Sequence, residues 1–215
     1  MLKKKYCKIC RGNNLDKIVA GGNLYYFCNN CGLIFLDSKE VLPAEEEIKR
    51  YELHDNSHEN LGYVKMFRKF IKKVIKPYKD DIETVLEFGC GPGPVLGDLL
   101  KEEGFDVDIY DPFFFPEKGF ERKSYDLITS TEVFEHFLDP LKEIELLIAH
   151  MNEKGYLAIM TSFHPGTDEF SDWFYIWDET HITFYNLNTF EWIAENYPLK
   201  LIYHDNNKYC LFQKE

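Results

Sequence analysis

The sequence predicts an α/β fold, in which a mostly parallel sheet with an antiparallel closing strand follows a small N-terminal metal-binding module. Three observations lead to this fold class. A short apolar strand runs into a glycine-rich turn that opens directly into a helix, over residues 85–103. Strand-like and helix-like segments then alternate toward the end of the chain, which is typical of parallel sheets covered by helices. Two C-x-x-C pairs lie within the first 31 residues.

Length and composition set the outer bounds. The chain has 215 residues, of which 45% are apolar, and this suits one main domain with a small appendage. Its apolar runs are shorter than the ~20 residues that a membrane span needs, and the N-terminus does not resemble a secretory signal. A cytoplasmic protein without a membrane segment is therefore expected. The net charge of −12 argues against a protein that simply coats nucleic acid.

The charge is unevenly distributed along the chain. Residues 1–31 carry six Lys or Arg and one acidic residue, and residues 65–79 carry seven basic residues and no acidic one. Either these residues form the solvated face of a helix, or they attract an anionic partner such as RNA. The first interpretation requires no further feature of the sequence, and the second keeps a nucleic-acid substrate as an alternative.

The two C-x-x-C pairs predict a zinc ribbon over residues 1–37. The pairs are Cys7 with Cys10 and Cys28 with Cys31, separated by 17 residues, which is the spacing of a four-cysteine site with two knuckles. Four thiolates fill a tetrahedral zinc site, so the metal is expected to be structural. Disulfides are the alternative, and a cytosolic location disfavours them.

The glycine turn indicates which kind of ligand the main domain binds. Gly89, Gly91 and Gly93 give the pattern G-x-G-x-G, whereas dinucleotide-binding turns have G-x-G-x-x-G. The turn and the helix N-terminus that follows favour a negatively charged group. Glu87, two residues before the first glycine, would repel a pyrophosphate but accepts a hydrogen bond from an ammonium group. A nucleoside that carries both an ammonium and a carboxylate, such as S-adenosylmethionine, fits this pair of features.

At this point the chain resembles the class I S-adenosylmethionine-dependent methyltransferases, which have a Rossmann-like sheet. The resemblance rests on the Glu-x-Gly-x-Gly-x-Gly run, on residues 125–140 and on residues 155–161, in the family's order and spacing. It implies a domain over residues 81–215 and a helical linker or lid over residues 38–80. It also implies S-adenosylmethionine as the methyl donor. The residues expected to contact it are Glu87, Gly89, Cys90, Gly91, Gly93, Asp111, Pro112, Phe113, Ser130, Thr131, Glu132 and Tyr63.

The sequence departs from the family pattern after Asp111. This residue ends the second strand of the domain, where the resemblance implies that an acid accepts the ribose hydroxyls. Only 14 residues separate it from Asp126, in a space where the family usually has a further helix and strand. The segment is therefore expected to be truncated, with phenylalanines such as Phe113 stacking on the adenine in its place.

The acceptor pocket is expected between the lid and an aromatic stretch over residues 163–185. Within that stretch His181 is the candidate general base, because imidazole takes up a proton near neutral pH, and Asp178 is the candidate residue to orient it. A histidine that only holds the loop by hydrogen bonds is the alternative. The other residues expected in the pocket are His54, His136, His164, Trp173 and Tyr175.

Together these features predict a methyltransferase that acts on a small-molecule acceptor such as a sugar, a quinone-like ring or another metabolite. Two alternatives remain. The first is an RNA methyltransferase that uses the basic ribbon and the helix 64–76. The second is a non-catalytic module that binds the cofactor. Neither the acceptor nor the methylated atom follows from the sequence.

Overall fold

The computed structural model describes residues 4–51 and 56–215, which contain ten β-strands and five α-helices. The strands are β1 Leu15–Ala20, β2 Asn23–Cys28, β3 Ile34–Leu36, β4 Thr84–Phe88, β5 Asp106–Tyr110, β6 Tyr125–Thr131, β7 Met151–Met160, β8 Thr183–Phe184, β9 Leu199–His204 and β10 Tyr209–Lys214. The helices are α1 Ala44–Tyr51, α2 Leu61–Phe70, α3 Val95–Glu102, α4 Pro140–Ala149 and α5 Leu187–Asn196.

The larger sheet has six strands in the order β5-β4-β6-β7-β10-β9. Strands β5, β4, β6 and β7 are parallel, and β10 is antiparallel to both of its neighbours. The prediction of a mostly parallel sheet with an antiparallel closing strand is thus confirmed. The carboxyl ends of β4, β5 and β6 meet at one edge, where α/β proteins bind their ligands.

The connection between β5 and β6 is short, as the sequence predicts. Its chain folds back in a tight turn in which Asp111 and Phe115 bond to each other through their backbones. A single 3-10 turn, Gly119–Arg122, then leads into β6. Phe120 of that turn is buried against Phe88 and Tyr110, so a phenylalanine fills part of the space that a longer crossover would cover.

The helix before the glycine strand differs from its expected form. The sequence predicts one helix over residues 64–76, but α2 ends at Phe70 and continues as a π-helical turn, Ile71–Ile75. A 3-10 helix, Lys76–Asp81, follows, with Pro77 in its first turn. Proline is tolerated there because the first N–H groups of a helix have no partner within the helix. The buried face of this segment packs with α3 on one side of the larger sheet.

The N-terminal strands form a second sheet in the order β1-β2-β3-β8, in which all pairings are antiparallel. Its fourth strand belongs to the aromatic stretch, with Ile34 opposite Phe184 and Phe35 opposite Thr183. The ribbon therefore shares a sheet with residues 183–184 of the main domain. Its cysteines also share an apolar cluster with α4 and α5 on the other side of the larger sheet.

A third apolar cluster joins the ribbon sheet to the aromatic stretch. Its centre is Phe170, which is fully buried with its ring 5.1 Å from that of Tyr25 and 5.2 Å from that of Phe184. Aromatic pairs in this edge-to-face geometry contribute about 0.5–1.5 kcal/mol beyond the area they bury. This packing fixes the aromatic stretch against the ribbon. In the described part of the chain, no helix combines the length and the apolar character that crossing a membrane requires.

Replacing Phe170 tests how much this junction contributes to stability. Phe170→Ala leaves a cavity between β2 and β8, and we expect the free energy of unfolding to fall by about 3–5 kcal/mol. Urea denaturation followed by tryptophan fluorescence measures it. Phe174→Ala is the matched control, because that side chain is 69% exposed and its loss should cost little. A fall as small as the control's would contradict the assigned packing.

Candidate active site

The glycine turn lies between β4 and α3 at the carboxyl edge of the larger sheet. Gly89 and Gly91 have φ angles of +83° and +66°, values that residues with a Cβ rarely adopt. The backbone N–H groups of Gly89 and Cys90 bond to the carbonyl of Tyr110 at the end of β5, at 2.8 and 3.1 Å. A Cβ at Gly89 would also collide with Val133. The turn thus contacts the segment after β6.

Glu87 is buried at the end of β4, with 3% of its surface exposed. Its carboxylate lies against Gly97 of α3, where any larger residue would collide with it. Among the described residues, its Oε2 atom has no hydrogen-bond partner. Burial raises the pKa of Glu87 to about 8, while the N–H of Gly97, in the first turn of α3, acts in the opposite direction. A buried carboxylate with an unpartnered oxygen is suited to a cationic group.

Asp111 connects the end of β5 to the glycine turn. Its Oδ2 accepts a hydrogen bond from the Gly91 N–H at 2.9 Å, and its Oδ1 accepts from the N–H groups of Phe113 and Phe114 at 2.9 and 3.1 Å. A carboxylate offers about four acceptor positions. One position is therefore left for a ligand hydroxyl in this conformation. Pro112 and Phe113 are exposed beside it, with 37% of Phe113 exposed.

The segment before α2 covers the glycine turn. A Cβ at Gly93 would collide with the carbonyl oxygen of Asn56, so glycine is required there by the close passage of this segment. The His58 Nε2 atom lies 3.1 Å from Asp98 Oδ2 of α3, which fastens the segment to the helix. Between the segment, the turn and Phe114 lies an open cavity of about 650 Å³. This is within the usual range for a small-molecule pocket.

Two tyrosines lie near the glycine turn and the segment after β6. The ring of Tyr51, at the end of α1, is 5.9 Å from that of Phe113 and 5.2 Å from that of His136. Tyr63 of α2 is partly buried, and its hydroxyl has a raised pKa because of burial and the nearby Glu87 and Glu132 carboxylates. His54 lies outside the described residues.

The end of β6 carries polar groups. Ser130 and Thr131 are buried, and the Ser130 hydroxyl has no hydrogen-bond partner among the described residues. Glu132 follows with φ of +55°, which is rare for a residue with a side chain and costs about 1–3 kcal/mol. Its N–H bonds to the Met160 carbonyl at 2.7 Å. This bond holds Glu132 at the junction of β6 and β7 despite the strain.

Two carboxylates share one tyrosine hydroxyl. The Tyr175 hydroxyl is 3.0 Å from Glu132 Oε2 and also bonds to Glu135 Oε1. A hydroxyl has one proton, so it donates to one carboxylate and accepts from the protonated form of the other. Burial and the neighbouring Glu135 carboxyl group raise the pKa of Glu132 to about 8, which favours one proton on this pair.

Two histidines face this pair of carboxylates. His181 Nδ1 lies 2.7 Å from the Tyr175 carbonyl oxygen, and His136 Nδ1 lies 3.1 Å from the Thr180 carbonyl oxygen. A carbonyl oxygen only accepts hydrogen bonds, so both rings carry their proton on Nδ1 when neutral. Their Nε2 atoms then keep a lone pair. Burial lowers the pKa of His136 to about 4, which keeps this ring neutral.

Asp178, the candidate residue to orient His181, lies next to that ring, but the His181 Nδ1 atom bonds to the Tyr175 carbonyl instead. Its Oδ1 accepts hydrogen bonds from the Thr180 N–H and hydroxyl at 3.0 and 2.6 Å, which shapes the turn before His181. Its Oδ2 lies 3.8 Å from His181 Nε2, beyond hydrogen-bond distance. Asp178 therefore fixes the loop and adds negative charge near the ring.

Two other expected pocket residues have structural partners. His164 Nε2 bonds to the Gly32 carbonyl at 2.7 Å, and its Nδ1 accepts from the Gly166 N–H at 3.2 Å. Both ring nitrogens are therefore used in joining the main domain to the ribbon, and the expected pocket role of His164 is corrected. Trp173 is partly buried with its ring 5.9 Å from that of Phe184, in the cluster that packs on the ribbon.

The four ribbon cysteines converge, as their spacing predicts. Their sulfur atoms all lie within 4.8 Å of one another, with 3.6 Å between those of Cys7 and Cys31 and 3.4 Å between those of Cys10 and Cys28. A tetrahedral zinc site with Zn–S bonds of about 2.3 Å has sulfurs about 3.8 Å apart. The six cysteines of the chain are all free thiols. The donor set and its spacing therefore fit a tetrahedral metal ion.

Sequence reasoning does not single out Glu135, although this residue is fully buried at the centre of the cluster. The sequence does contain a local signal, because the polar residues Glu135 and His136 directly follow the apolar residues Val133 and Phe134. This pattern is too short for periodicity analysis. Cys90 is expected to contact the cofactor. Its thiol is buried, which raises its pKa and disfavours the reactive thiolate.

Comparisons with known proteins agree with this geometry. A family model described as a methyltransferase domain matches residues 56–204. A SAM-dependent methyltransferase from Archaeoglobus fulgidus has a similar fold, with a TM-score of 0.51 and 19% identity over 71% of this chain and 94% of that one. The plantazolicin methyltransferase BpumL, in complex with a triazolic desmethylPZN analog and SAH, has a TM-score of 0.50 and 14% identity. The match covers 80% of this chain and 92% of that one. None of the curated proteins matches.

The chain belongs to the methyltransferase domain family, because the family model covers more than half of its length. The expected enzyme class, an S-adenosylmethionine-dependent methyltransferase, is thereby confirmed. The two structures have low identity to this chain and support its fold.

The buried carboxylate of Glu87 predicts a pH-dependent stability. Because its pKa in the folded protein lies near 8, above the value of about 4.3 in an unfolded chain, folding favours the protonated form. Stability is therefore lost as the pH rises from about 4.5 to 8. We expect Glu87→Gln to remove this loss, so that the variant becomes more stable than the wild type at pH 8.5, by at most about 5 kcal/mol.

Thermal and urea unfolding of both proteins between pH 5 and 8.5 measures this difference. Glu143→Gln is the control. Burial also raises the pKa of Glu143, but this residue lies in α4, far from Glu87 in the sequence. If the stabilities of wild type and Glu87→Gln changed with pH in the same way, Glu87 would not be desolvated as described.

Proposed function

We propose that this protein transfers a methyl group from S-adenosylmethionine to a small-molecule acceptor. The observation that most supports this proposal is that the cluster of Glu132, Tyr175 and His181 lies beside the glycine turn. Val133, the residue after Glu132, lies against Gly89 of that turn. A donor bound at the turn would direct its reactive end toward this cluster. The fold alone would not require two carboxylates and two histidines there.

The donor would be held by groups that the fold leaves available. Glu87 would accept a hydrogen bond from its ammonium group, and the N–H groups of the glycine turn would face its carboxylate. Asp111 would accept one ribose hydroxyl, and Phe113 would cover the adenine. The remaining residues proposed to contact the donor are Gly89, Cys90, Gly91, Gly93, Pro112, Ser130, Thr131, Glu132 and Tyr63.

When bound, S-adenosylmethionine supplies a methyl group that is already activated by the positive charge on its sulfur. The protein then has to align the acceptor, exclude water and remove a proton where the acceptor carries one. His181 is proposed to take this proton, because its Nδ1–H is fixed by the Tyr175 carbonyl and its Nε2 lone pair remains. Tyr51, His136 and Tyr175 would border the acceptor.

A small acceptor is favoured over RNA by the surface charges. The basic segment 65–79 lies beside α3, where Glu102 pairs with Arg68, and Glu103 pairs with Lys76 and Lys79. These acidic partners offset part of the positive charge that an RNA backbone would need. The intact glycine turn and the strained Glu132 argue against a module without catalysis, because neither feature is needed for folding.

We also propose that residues 1–37 form a zinc ribbon whose metal is structural. Four thiolates complete the coordination of the ion, so it would stabilise the sheet that holds β8 next to His181. Residues 38–80 would serve as the lid, and residues 81–215 as the catalytic domain. The free thiols fit a cytoplasmic location, where disulfides are rare.

Replacing His181 tests the acceptor side of the site. We expect His181→Gln to lower the rate of methyl transfer by about 10²–10⁴-fold, the usual contribution of a general base, with unchanged affinity for S-adenosylhomocysteine. Labelled S-adenosylmethionine with a panel of metabolites gives the rate, and calorimetry gives the affinity. His164→Gln is the matched control on a histidine outside the pocket. Full turnover by His181→Gln would rule out its role in the reaction.

Metal analysis tests the ribbon. We expect one tightly bound zinc per wild-type chain. Cys28→Ser should lose this zinc and melt at a lower temperature. Cys210→Ser is the control, because Cys210 is buried as a free thiol outside the cluster. Equal zinc content in both variants would contradict the assignment.

A further inference from the structure

We propose that Glu135, His136 and His181 form a second metal site, which binds a divalent cation such as Mn²⁺, Fe²⁺ or Zn²⁺ next to the acceptor. The potential ligand atoms of these three residues lie within 4.8 Å of one another. Two imidazoles and one carboxylate are a ligand set that proteins use for divalent transition metals, with open positions on the other side of the ion. The role of this cation in catalysis rests on the proposed methyl transfer, but its binding does not.

The histidine tautomers are set for metal binding. Each ring donates its Nδ1–H to a backbone carbonyl, His136 to Thr180 and His181 to Tyr175. Metal-binding histidines usually have such a partner on the second nitrogen, which fixes the ring and directs the free lone pair at the ion. The rings lie close together, with centroids 4.9 Å apart. Each Nε2 atom therefore keeps a lone pair for a cation.

Glu135 supplies an independent observation. It is fully buried, and its Oε2 atom has no hydrogen-bond partner among the described residues. Its other oxygen holds the Tyr175 hydroxyl. A buried carboxylate with an unsatisfied oxygen is unfavourable unless something positive or hydrogen-bonding occupies that position. A cation between Glu135 and the two histidines would satisfy it.

The surroundings also favour a cation over a neutral ligand. Glu132 lies on the other side of the Tyr175 hydroxyl, and Asp178 Oδ2 is 3.8 Å from His181 Nε2. Lys208 is the basic group whose charge acts on Glu132. Carboxyl groups and two imidazole rings thus surround a small volume, in which a divalent cation would gain favourable electrostatic interactions.

The three ligands are held rigidly by the strand that pairs with the ribbon. The Ile182 N–H bonds to the Glu135 carbonyl at 2.8 Å, and the Thr183 hydroxyl bonds to the Phe137 carbonyl at 2.8 Å. The Tyr185 hydroxyl bonds to the Phe134 carbonyl at 3.1 Å. These bonds join the 3-10 turn Phe134–His136 to the segment that carries His181. Preorganised ligands of this kind bind a metal without a large loss of conformational freedom.

The open positions of the cation would take oxygen atoms, from water or from a hydroxyl or carbonyl group of the acceptor. A bound cation lowers the pKa of such a hydroxyl, which makes it a better nucleophile at neutral pH. The His181 Nε2 lone pair cannot serve a proton and a cation at the same time. The base role and the ligand role of His181 are therefore alternatives, and metal binding decides between them.

The experiment uses the full chain with zinc retained in the ribbon, titrated with Mn²⁺ and followed by electron paramagnetic resonance. Mn²⁺ prefers imidazole and carboxylate ligands to thiolates, so it reports on the second site. We expect one Mn²⁺ per wild-type chain, with binding weakened more than about tenfold in Glu135→Gln and in His181→Gln. His150→Gln, a replacement outside the cluster, should bind as the wild type does.

A second measurement uses the wild type alone, so that it does not depend on the folding of any variant. Added Zn²⁺ should shift the imidazole ¹⁵N resonances of His136 and His181 and leave those of His164 unchanged. If both resonances stay in place and Mn²⁺ binds equally to wild type and Glu135→Gln, the proposed site does not exist. Retained binding of S-adenosylhomocysteine in that case would leave the proposed methyl transfer intact.

Discussion

The packing of two carboxyl groups around the Tyr175 hydroxyl, Glu135 fully buried and Glu132 partly buried, is the constraint on which the rest of the site depends. Moving an ionised carboxylate out of water costs several kcal/mol unless it is paired or protonated. Glu132 and Glu135 share one hydroxyl, and one of them holds a proton, so the cost is reduced but not removed. Glu132 is also held at positive φ. A fold keeps such a cluster only when surrounding packing and hydrogen bonds hold it in place.

The ribbon supplies much of that support. Strand β3 pairs with β8, which follows His181, and residues of the β8 segment bond to the turn that carries Glu135 and His136. The aromatic stretch packs between the ribbon sheet and the cluster. The ribbon is therefore part of the wall of the proposed acceptor site. Its cysteines would act at a distance from the proposed chemistry, by stabilising the sheet with a bound metal.

Local patterns predict a large part of this arrangement from the sequence. The glycine turn, the mostly parallel sheet that it implies and the C-x-x-C pairs depend on residues close in the chain, and the structure confirms the fold and the convergence of the cysteines. The roles of His164 and Asp178 depend on partners that local patterns do not reveal. His164 bonds to Gly32, 132 residues away, and Asp178 bonds to a turn whose shape the sequence does not specify. Glu135 is missed because its importance comes from burial against Tyr175.

The most direct test of the central claim is a crystal structure of the complex with S-adenosylhomocysteine. The account predicts that its carboxylate lies at the glycine turn, that its ammonium bonds to Glu87 and that its sulfur points toward the Glu132, Tyr175 and His181 cluster. A complex in which the sulfur points away from this cluster, or in which the glycine turn binds no ligand atom, would contradict it.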